Sequence, residues 1–262
     1  MTTIFGILNI TADSFSDGGK YLDPAAAIAQ ARALAADGAD VLDIGAASSN
    51  PDSAPVPPQT EIARLAAVLP ALAGIPLSID TFSLDVQRWA LAQDVAWLND
   101  IQGFADPALY PALAASPTKL IVMHSVQDRG AATRVDIPPG AIMDRLFRFF
   151  DTRLAALQAA GIARARLVLD PGMGFFLGTD PETSLTVLRR LPELKARFGL
   201  PLLVSVSRKS FLRNLAGRDA QGSGAISLAA ELFAIRQGAD YIRTHAPGPL
   251  RDAVLLGKAL ER

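Results

Sequence analysis

The sequence predicts a parallel (β/α)8 barrel, the TIM-barrel architecture of the α/β class, as a single domain over residues 1–262. Three observations carry that expectation. Short apolar runs rich in Val, Ile and Leu recur at residues 4–10, 40–44, 76–80, 96–99, 119–123, 166–170, 201–206 and 240–243. Most of them do not alternate with polar residues, which is the pattern of parallel strands buried on both faces. Longer segments with helical spacing separate the runs, and a chain of 262 residues is close to the ~250 typical of eight such units. A doubly wound open sheet is the alternative architecture.

The elements follow in order along the chain. Pro24, Pro58, Pro107 and Pro181 stand near helix starts, where a missing N–H costs little. Gly38, Gly161 and Gly238 follow helical stretches and lead into strands, as glycines just past a helix end do. Between the fifth and sixth runs, Ile142, Leu146, Phe149, Phe150, Leu154 and Leu157 recur at steps of three and four, one face of a helix. Leu185, Leu188, Leu191, Leu194 and Phe198 predict one further helix. No linker, charge block or low-complexity segment divides the chain.

Composition narrows the chemistry. Half of the residues are hydrophobic and 19% are charged, too apolar for a disordered chain. The net charge of -1 gives no field to draw the protein onto nucleic acid or an anionic membrane. With no cysteine and two histidines, thiolate metal sites, iron–sulfur clusters and three-histidine sites are excluded. The uncharged run from Leu65 to Ile79 is broken by Pro70 and Pro76 and too short for a bilayer. The first residues lack the basic-then-apolar order of a secretory signal. A cytoplasmic enzyme is expected.

In such a barrel the active site lies at the C-terminal strand ends and the loops after them. Asn9, Asp13, Asp43, Asp80, Asn99, Asp100, His124, Asp170, Ser207, Arg208, Lys209, Arg243 and His245 all fall there. Asp80 and Asp170 could each cap a following helix. Two of them facing one mouth with Asn99 suit a planar heterocycle better, because carboxylates accept paired hydrogen bonds and an amide supplies both donor and acceptor. The stretch 205–210 (Ser-Val-Ser-Arg-Lys-Ser) is either a basic surface turn or an anion or carbonyl contact. Arg243 and His245, two residues apart, converge on one face, and phosphate sites in these barrels often follow the last two strands. The lone His124 reads equally as a packed or a functional side chain. Dinucleotide, P-loop, nucleophile-elbow and zincin motifs are all missing. The residues alone therefore point to group transfer or phosphate elimination.

Taken together, the motifs resemble the dihydropteroate synthase family over essentially the whole chain. The resemblance rests on residues 6–19 (Gly-Ile-Leu-Asn-Ile-Thr-Ala-Asp-Ser-Phe-Ser-Asp-Gly-Gly), 43–45 (Asp-Ile-Gly), 78–81 (Ser-Ile-Asp-Thr) and 98–101 (Leu-Asn-Asp-Ile). It continues through 170–172 (Asp-Pro-Gly), 207–210 (Ser-Arg-Lys-Ser) and 243–245 (Arg-Thr-His), all in the family order. It implies joining of 6-hydroxymethyl-7,8-dihydropterin pyrophosphate to p-aminobenzoate, with release of pyrophosphate and formation of 7,8-dihydropteroate in folate biosynthesis. It also implies Mg²⁺ as cofactor and a homodimer. Asp80, Asp170 and Lys209 would be catalytic. Asp80, Asn99, Ile101, Met123, Asp170, Gly174, Lys209 and Arg243 would bind the pterin. Asn9, Ser49, Arg243 and His245 would hold the pyrophosphate, with Asn9 at the metal. Phe15, Pro51, Phe175, Phe176 and Ser210 would neighbour p-aminobenzoate.

Departures from the family pattern gather near the p-aminobenzoate side. Residues 45–52 read Gly-Ala-Ala-Ser-Ser-Asn-Pro-Asp, so Asn50 stands where the family has arginine. The stretch 174–178 (Gly-Phe-Phe-Leu-Gly) is longer than the usual pattern. Ala12 and Ser205, which replace the customary proline and glycine, are the exceptions to that clustering, and the pterin residues are intact. This division is similar to the sulfonamide-resistant members of the family, and implies a drug-discriminating gate at Phe176, Leu177 and Gly178. A pterin-binding methyltransferase and a non-catalytic pterin-binding protein are the competing readings.

Overall fold

The computed structural model describes residues 2–11, 21–49, 53–127, 132 and 134–260. The strands are β1 (Thr3–Asn9), β2 (Val41–Gly45), β3 (Leu77–Asp80), β4 (Trp97–Asp100), β5 (Lys119–Met123), β6 (Leu167–Asp170), β7 (Leu203–Val204) and β8 (Tyr241–Thr244). The helices are α1 (Pro24–Ala36), α2 (Pro58–Val68), α3 (Leu84–Leu91), α4 (Tyr110–Ala115), α5 (Ile142–Ala159), α6 (Pro181–Arg189), α7 (Leu191–Phe198), α8 (Ser210–Ala216), α9 (Gly224–Arg236) and α10 (Pro247–Leu260). Strand order is β6-β5-β4-β3-β2-β1-β8-β7, with every pair parallel. A parallel bridge between Leu169 and Leu202 joins the two ends. The sheet thus comes round on itself as the expected (β/α)8 barrel.

The strand pleat sorts the side chains into two cores. Ile4, Leu8, Leu42, Ile44, Ile79, Leu98, Leu120, Val122, Leu167, Leu169, Val204 and Ile242 point outward and pack under the helices. Phe5, Val41, Trp97, Ile121, Val168 and Leu203 point inward and, with Tyr241, fill the barrel floor. Phe5, Trp97 and Tyr241 meet edge-to-face at centroid distances of 5.1, 5.8 and 5.2 Å, the geometry aromatic quadrupoles favour. This filled floor leaves the opposite end as the place for a site.

Local signals behave as their chemistry requires. Pro24, Pro58 and Pro181 open α1, α2 and α6, while Pro107 opens only a short 3-10 turn before α4. Asp23 and Asp180 cap α1 and α6 through the N–H groups of Ala25, Ala26 and Glu182. Gly38, Gly161 and Gly238 have φ of 102°, 86° and 95°, a region in which a side chain is costly. Two expectations need correction. The single helix expected through Leu185–Phe198 is two, broken at Arg190, because Pro192 has no N–H to continue the ladder. The strand expected at 201–206 shrinks to Leu203–Val204, since Pro201 donates no bond and the chain beyond Val204 turns over the barrel mouth.

Candidate active site

One pleat above the floor the barrel interior becomes polar. Val41 is followed on the same face by Asp43, Trp97 by Asn99, Val168 by Asp170, Leu203 by Ser205 and Tyr241 by Arg243, because side chains two residues apart share a face. Arg243 sits among the carboxylates. Its Nε donates to Asp43, which is fully buried, and its Nη2 donates to Asp80 at 2.7 Å. Burial opposes the charge on Arg243, but Asp43 and Asp80 hold its pKa above the ordinary value.

The acids are short of cations. Burial pushes the Asp80 carboxyl up to about 7 against the pull of Arg243, with Asp43 and Glu61 adding to the rise. Burial pushes Asp170 up to about 6, although its Oδ1 accepts from the Gly172 N–H at 2.8 Å and Lys209 lies near. Burial, then Arg243, lowers Lys209 to about 8. Its Nζ stands 5.2 Å from the Phe176 ring centroid, within cation–π range. His245 is held well below its usual value by burial, then by Arg208, Arg243 and Lys209. Its backbone N–H and its Nδ1 lie 3.2 and 3.1 Å from the Ser207 hydroxyl. Paired groups with displaced pKa values in one cleft are a signature of chemistry rather than of scaffold.

These groups surround a cavity of about 140 Å³ at the mouth. Asn9, Ser49, Asp80, Phe175, Phe176, Lys209, Ser210, Arg243 and His245 line it, together with Arg208 and Arg213. Arg208 adopts φ 56° without being glycine, and its N–H is tied to Ser227 Oγ of α9 at 3.0 Å. Such strained backbone persists only where surroundings enforce it.

Other expected residues sit deeper or elsewhere. Asn99 and Asp170 lie below the cavity. Ile101 and Met123 are covered by Ala132 and Phe176, with Phe82 and Phe175 against them. A Cβ on Gly174 would stand 3.6 Å from Lys209 Cδ, so that backbone adjoins the lysine. Leu177 is buried in the outer core and does not face the cavity. Gly178 has φ 131° and abuts the backbone of Val135 and Ile137. Asp13, Phe15, Asn50 and Pro51 fall outside the described residues, as does Ala12. His124 is packed: Nδ1 meets the Pro171 carbonyl at 3.2 Å and the ring is edge-on to Phe149 at 5.1 Å.

Sequence reasoning missed three features of the site. The Ala132 N–H bonds the Ser49 carbonyl at 2.9 Å, so the chain after β5 meets the chain after β2 across the mouth. Glu61 of α2 is almost fully buried, with burial raising its pKa. Glu231 of α9 is also buried; burial pushes it up to about 7 against hydrogen bonds from Thr244 and Ser207. A lone acid in the apolar stretch from Ile226 to Ile235 was a readable signal.

Among the described residues no group of three His, Cys, Asp or Glu side chains could hold a metal ion. No helix among them is long and apolar enough to cross a membrane.

The sequence matches the pterin binding enzyme family over residues 5–245. It is 63% identical to dihydropteroate synthase type-2 of Escherichia coli over 98% of this chain and 96% of that one. The fold is similar to that of Xanthomonas albilineans dihydropteroate synthase solved with 4-aminobenzoic acid, with a TM-score of 0.88 and 36% identity over 99% and 93% of the two chains. It is equally similar, at a TM-score of 0.88 and 32% identity over 99% and 94%, to the Yersinia pestis dihydropteroate synthase solved in a sulfonamide drug complex. With its carboxylate-lined barrel mouth and these relatives, the chain belongs to the pterin-binding enzymes and, among them, to the dihydropteroate synthases.

Proposed function

We propose that the barrel mouth condenses 6-hydroxymethyl-7,8-dihydropterin pyrophosphate with p-aminobenzoate to give 7,8-dihydropteroate and pyrophosphate, and that it does so in the presence of sulfonamides. The observation that carries this reading is the convergence of Asp80, Asp170, Lys209 and Arg243 on one mouth. Below them Asp43 Oδ1, Ser78 Oγ and Asn99 Oδ1 are buried with no hydrogen-bond partner among the described residues. Buried acceptors of this kind are ordinarily paired, and the ring N–H and amino groups of a pterin supply donors.

Asp170 and Asn99 then accept from the pterin, and Lys209 donates to one of its acceptors. Met123 and Ile101 flank the ring, with Gly174 leaving room beside Lys209. The C–O bond to pyrophosphate breaks and positive charge develops on the pterin methylene. Asp80 and Asp170 stabilise that charge more than they stabilise the neutral ground state. Arg243, His245, Asn9 and Ser49 receive the departing anion. The amine of p-aminobenzoate bonds the methylene carbon, and its proton leaves with pyrophosphate. Phe175, Phe176 and Ser210 border the aminobenzoate.

A Mg²⁺ ion fits the donor set as a substrate-borne cation. Mg²⁺ usually takes one or two protein oxygens and completes its shell with phosphates and water. Asn9 offers a neutral carbonyl oxygen at the cavity wall. When bound, the ion neutralises charge developing on the pyrophosphate.

Drug insensitivity rests on Phe176. Its ring lies under Lys209 at the cavity wall, packed against Ala132, where the bulkier sulfonyl group of a drug meets steric conflict that the flat carboxylate of p-aminobenzoate escapes. A few kcal/mol of such conflict suffices for discrimination. Leu177 anchors the segment in the outer core, and Gly178 supplies the turn that seats it. Pairing of two copies through the outer helices is supported by the exposed Leu215, Leu255, Leu256 and Leu260.

The test is pyrophosphate release from the pterin pyrophosphate with p-aminobenzoate and Mg²⁺, under a sulfonamide titration. Turnover that persists under the drug is expected. Deletion of Phe176 and Gly178 is expected to restore inhibition. A deleted variant that still turns over under the drug rejects the gate, and an intact chain that releases no pyrophosphate rejects the synthase.

A further inference from the structure

Away from the mouth, a second cavity of about 410 Å³ lies between the segments after β4 and β5 and the flank of α5. Its walls gather buried polar atoms that have no hydrogen-bond partner among the described residues: His124 Nε2, Ser125 Oγ, both amide atoms of Gln127, and Arg153 Nη1. His124 is 1% exposed and Ser125 9%. Native proteins rarely leave so many buried donors and acceptors unmet in one place. The lining is also cationic, with Arg145, Arg148 and Arg153 all on α5. Arg145 uses one nitrogen on the Val126 carbonyl at 2.7 Å. Nearby acids are engaged: Asp100 accepts from the N–H groups of Gln102 and Phe104 at 2.8 Å each, and Asp151 pairs with Arg197. Arg153 also lies near Asp100 and over the Phe149 ring, so the surplus positive charge at the cavity rests on Arg145 and Arg148.

His124 sets a further requirement. The Pro171 carbonyl beside Nδ1 can only accept, so Nδ1 carries the ring proton. Burial, then Arg145, lowers the ring to about 3, so it is neutral and Nε2 offers only a lone pair. An occupant has to bring anionic oxygens for the arginines and Ser125, and also a hydrogen for Nε2. Sulfate brings none, whereas phosphate keeps an O–H at neutral pH. We propose that this cavity binds inorganic phosphate, or the phosphate of a small hydroxylated monoester, through Arg145, Arg148, Arg153, Ser125 and Gln127, with His124 accepting the hydroxyl.

Calorimetry on the full chain in phosphate-free buffer tests this, using inorganic phosphate, sulfate and glycerol 3-phosphate as probes. The His245→Ala variant weakens anion binding at the mouth, and the further loss on Arg148→Ala, which lines only the second cavity, reads the second cavity separately. Phosphate is expected to bind it at one site, with sulfate weaker by about tenfold or more. Adding Arg148→Ala, an exposed position whose loss leaves the fold intact, is expected to weaken phosphate by about tenfold. Tighter binding of glycerol 3-phosphate than of phosphate assigns the site to esters, and the reverse assigns it to the free ion. Arsenate, which carries the same protons, is expected to give an anomalous peak between Arg148 and Gln127 in a soaked crystal. No phosphate binding to His245→Ala, equal affinity for sulfate, or indifference to Arg148→Ala overturns the proposal.

Discussion

The floor and the mouth of this barrel are built by the same strands, two residues apart, under opposite rules. At the floor Phe5, Trp97 and Tyr241 satisfy one another through area and ring geometry. At the mouth Asp43 and Asp170 are buried and Asp80, Lys209 and Arg243 half-buried, three acids share two cations, and several carry displaced pKa values. The floor adds stability and does no chemistry. The mouth gives stability up, because charges held out of water without full pairing cost free energy. That arrangement keeps a strong field in place for charge that develops only during reaction.

Four measurements bear on the comparison. The largest effect is expected at the floor: Trp97→Ala removes a ring held by two aromatic neighbours and should lower stability by about 3–5 kcal/mol, read from thermal unfolding. If the floor were dispensable, the midpoint would barely move. At the mouth, Asp170→Asn keeps the oxygen that meets Gly172 but removes the charge, and turnover should fall by about 10²–10³ in a pyrophosphate-release assay. A variant that retains full rate would detach Asp170 from catalysis.

The same substitution should make the fold more stable at neutral pH, the reverse of the floor result. A carboxyl whose folded pKa is raised binds more protons folded than unfolded between about 4 and 6. Stability contributed by Asp170 therefore falls as pH rises through that window and stays low above it. Asp170→Asn removes that penalty, so a gain on the order of 1–3 kcal/mol is expected at pH 7 and none near pH 3. Lys209 has the opposite sign, with stability recovered as pH rises from about 8 towards its unfolded value. The smallest effect is expected on the outside: Asp151→Ala breaks an exposed pair with Arg197 and should shift stability by about 0.5 kcal/mol or less. A larger shift would mean that the outer charges share in what the interior does.

Much of this division was legible along the chain. The apolar runs located the strand ends to within one residue except at β7, which is two residues shorter at each end, and the polar residues at their ends located the mouth. Asp80, Asp170, Lys209, Arg243 and His245 were all readable from position alone. What could not be read were contacts between distant segments. Nothing local to Arg243 says that Asp43, two hundred residues earlier, takes its Nε. Nothing in the stretch around Ala132 says that its N–H meets Ser49. Nor does the triplet Phe175–Leu177 reveal that Phe176 faces the cavity while Leu177 turns into the outer core, since that depends on the 3-10 turn there and on Gly178 behind it.

The sequence by itself determined the barrel, the end of it that does chemistry and the residue types available there, because period, proline, glycine and burial act over a few residues at a time. Only the tertiary structure decided which acid Arg243 meets, which aromatic lies against Lys209 and which buried polar atoms lack partners among the described residues. Those outcomes depend on closing the sheet, when strands remote in the chain are brought within hydrogen-bonding distance and water is excluded between them.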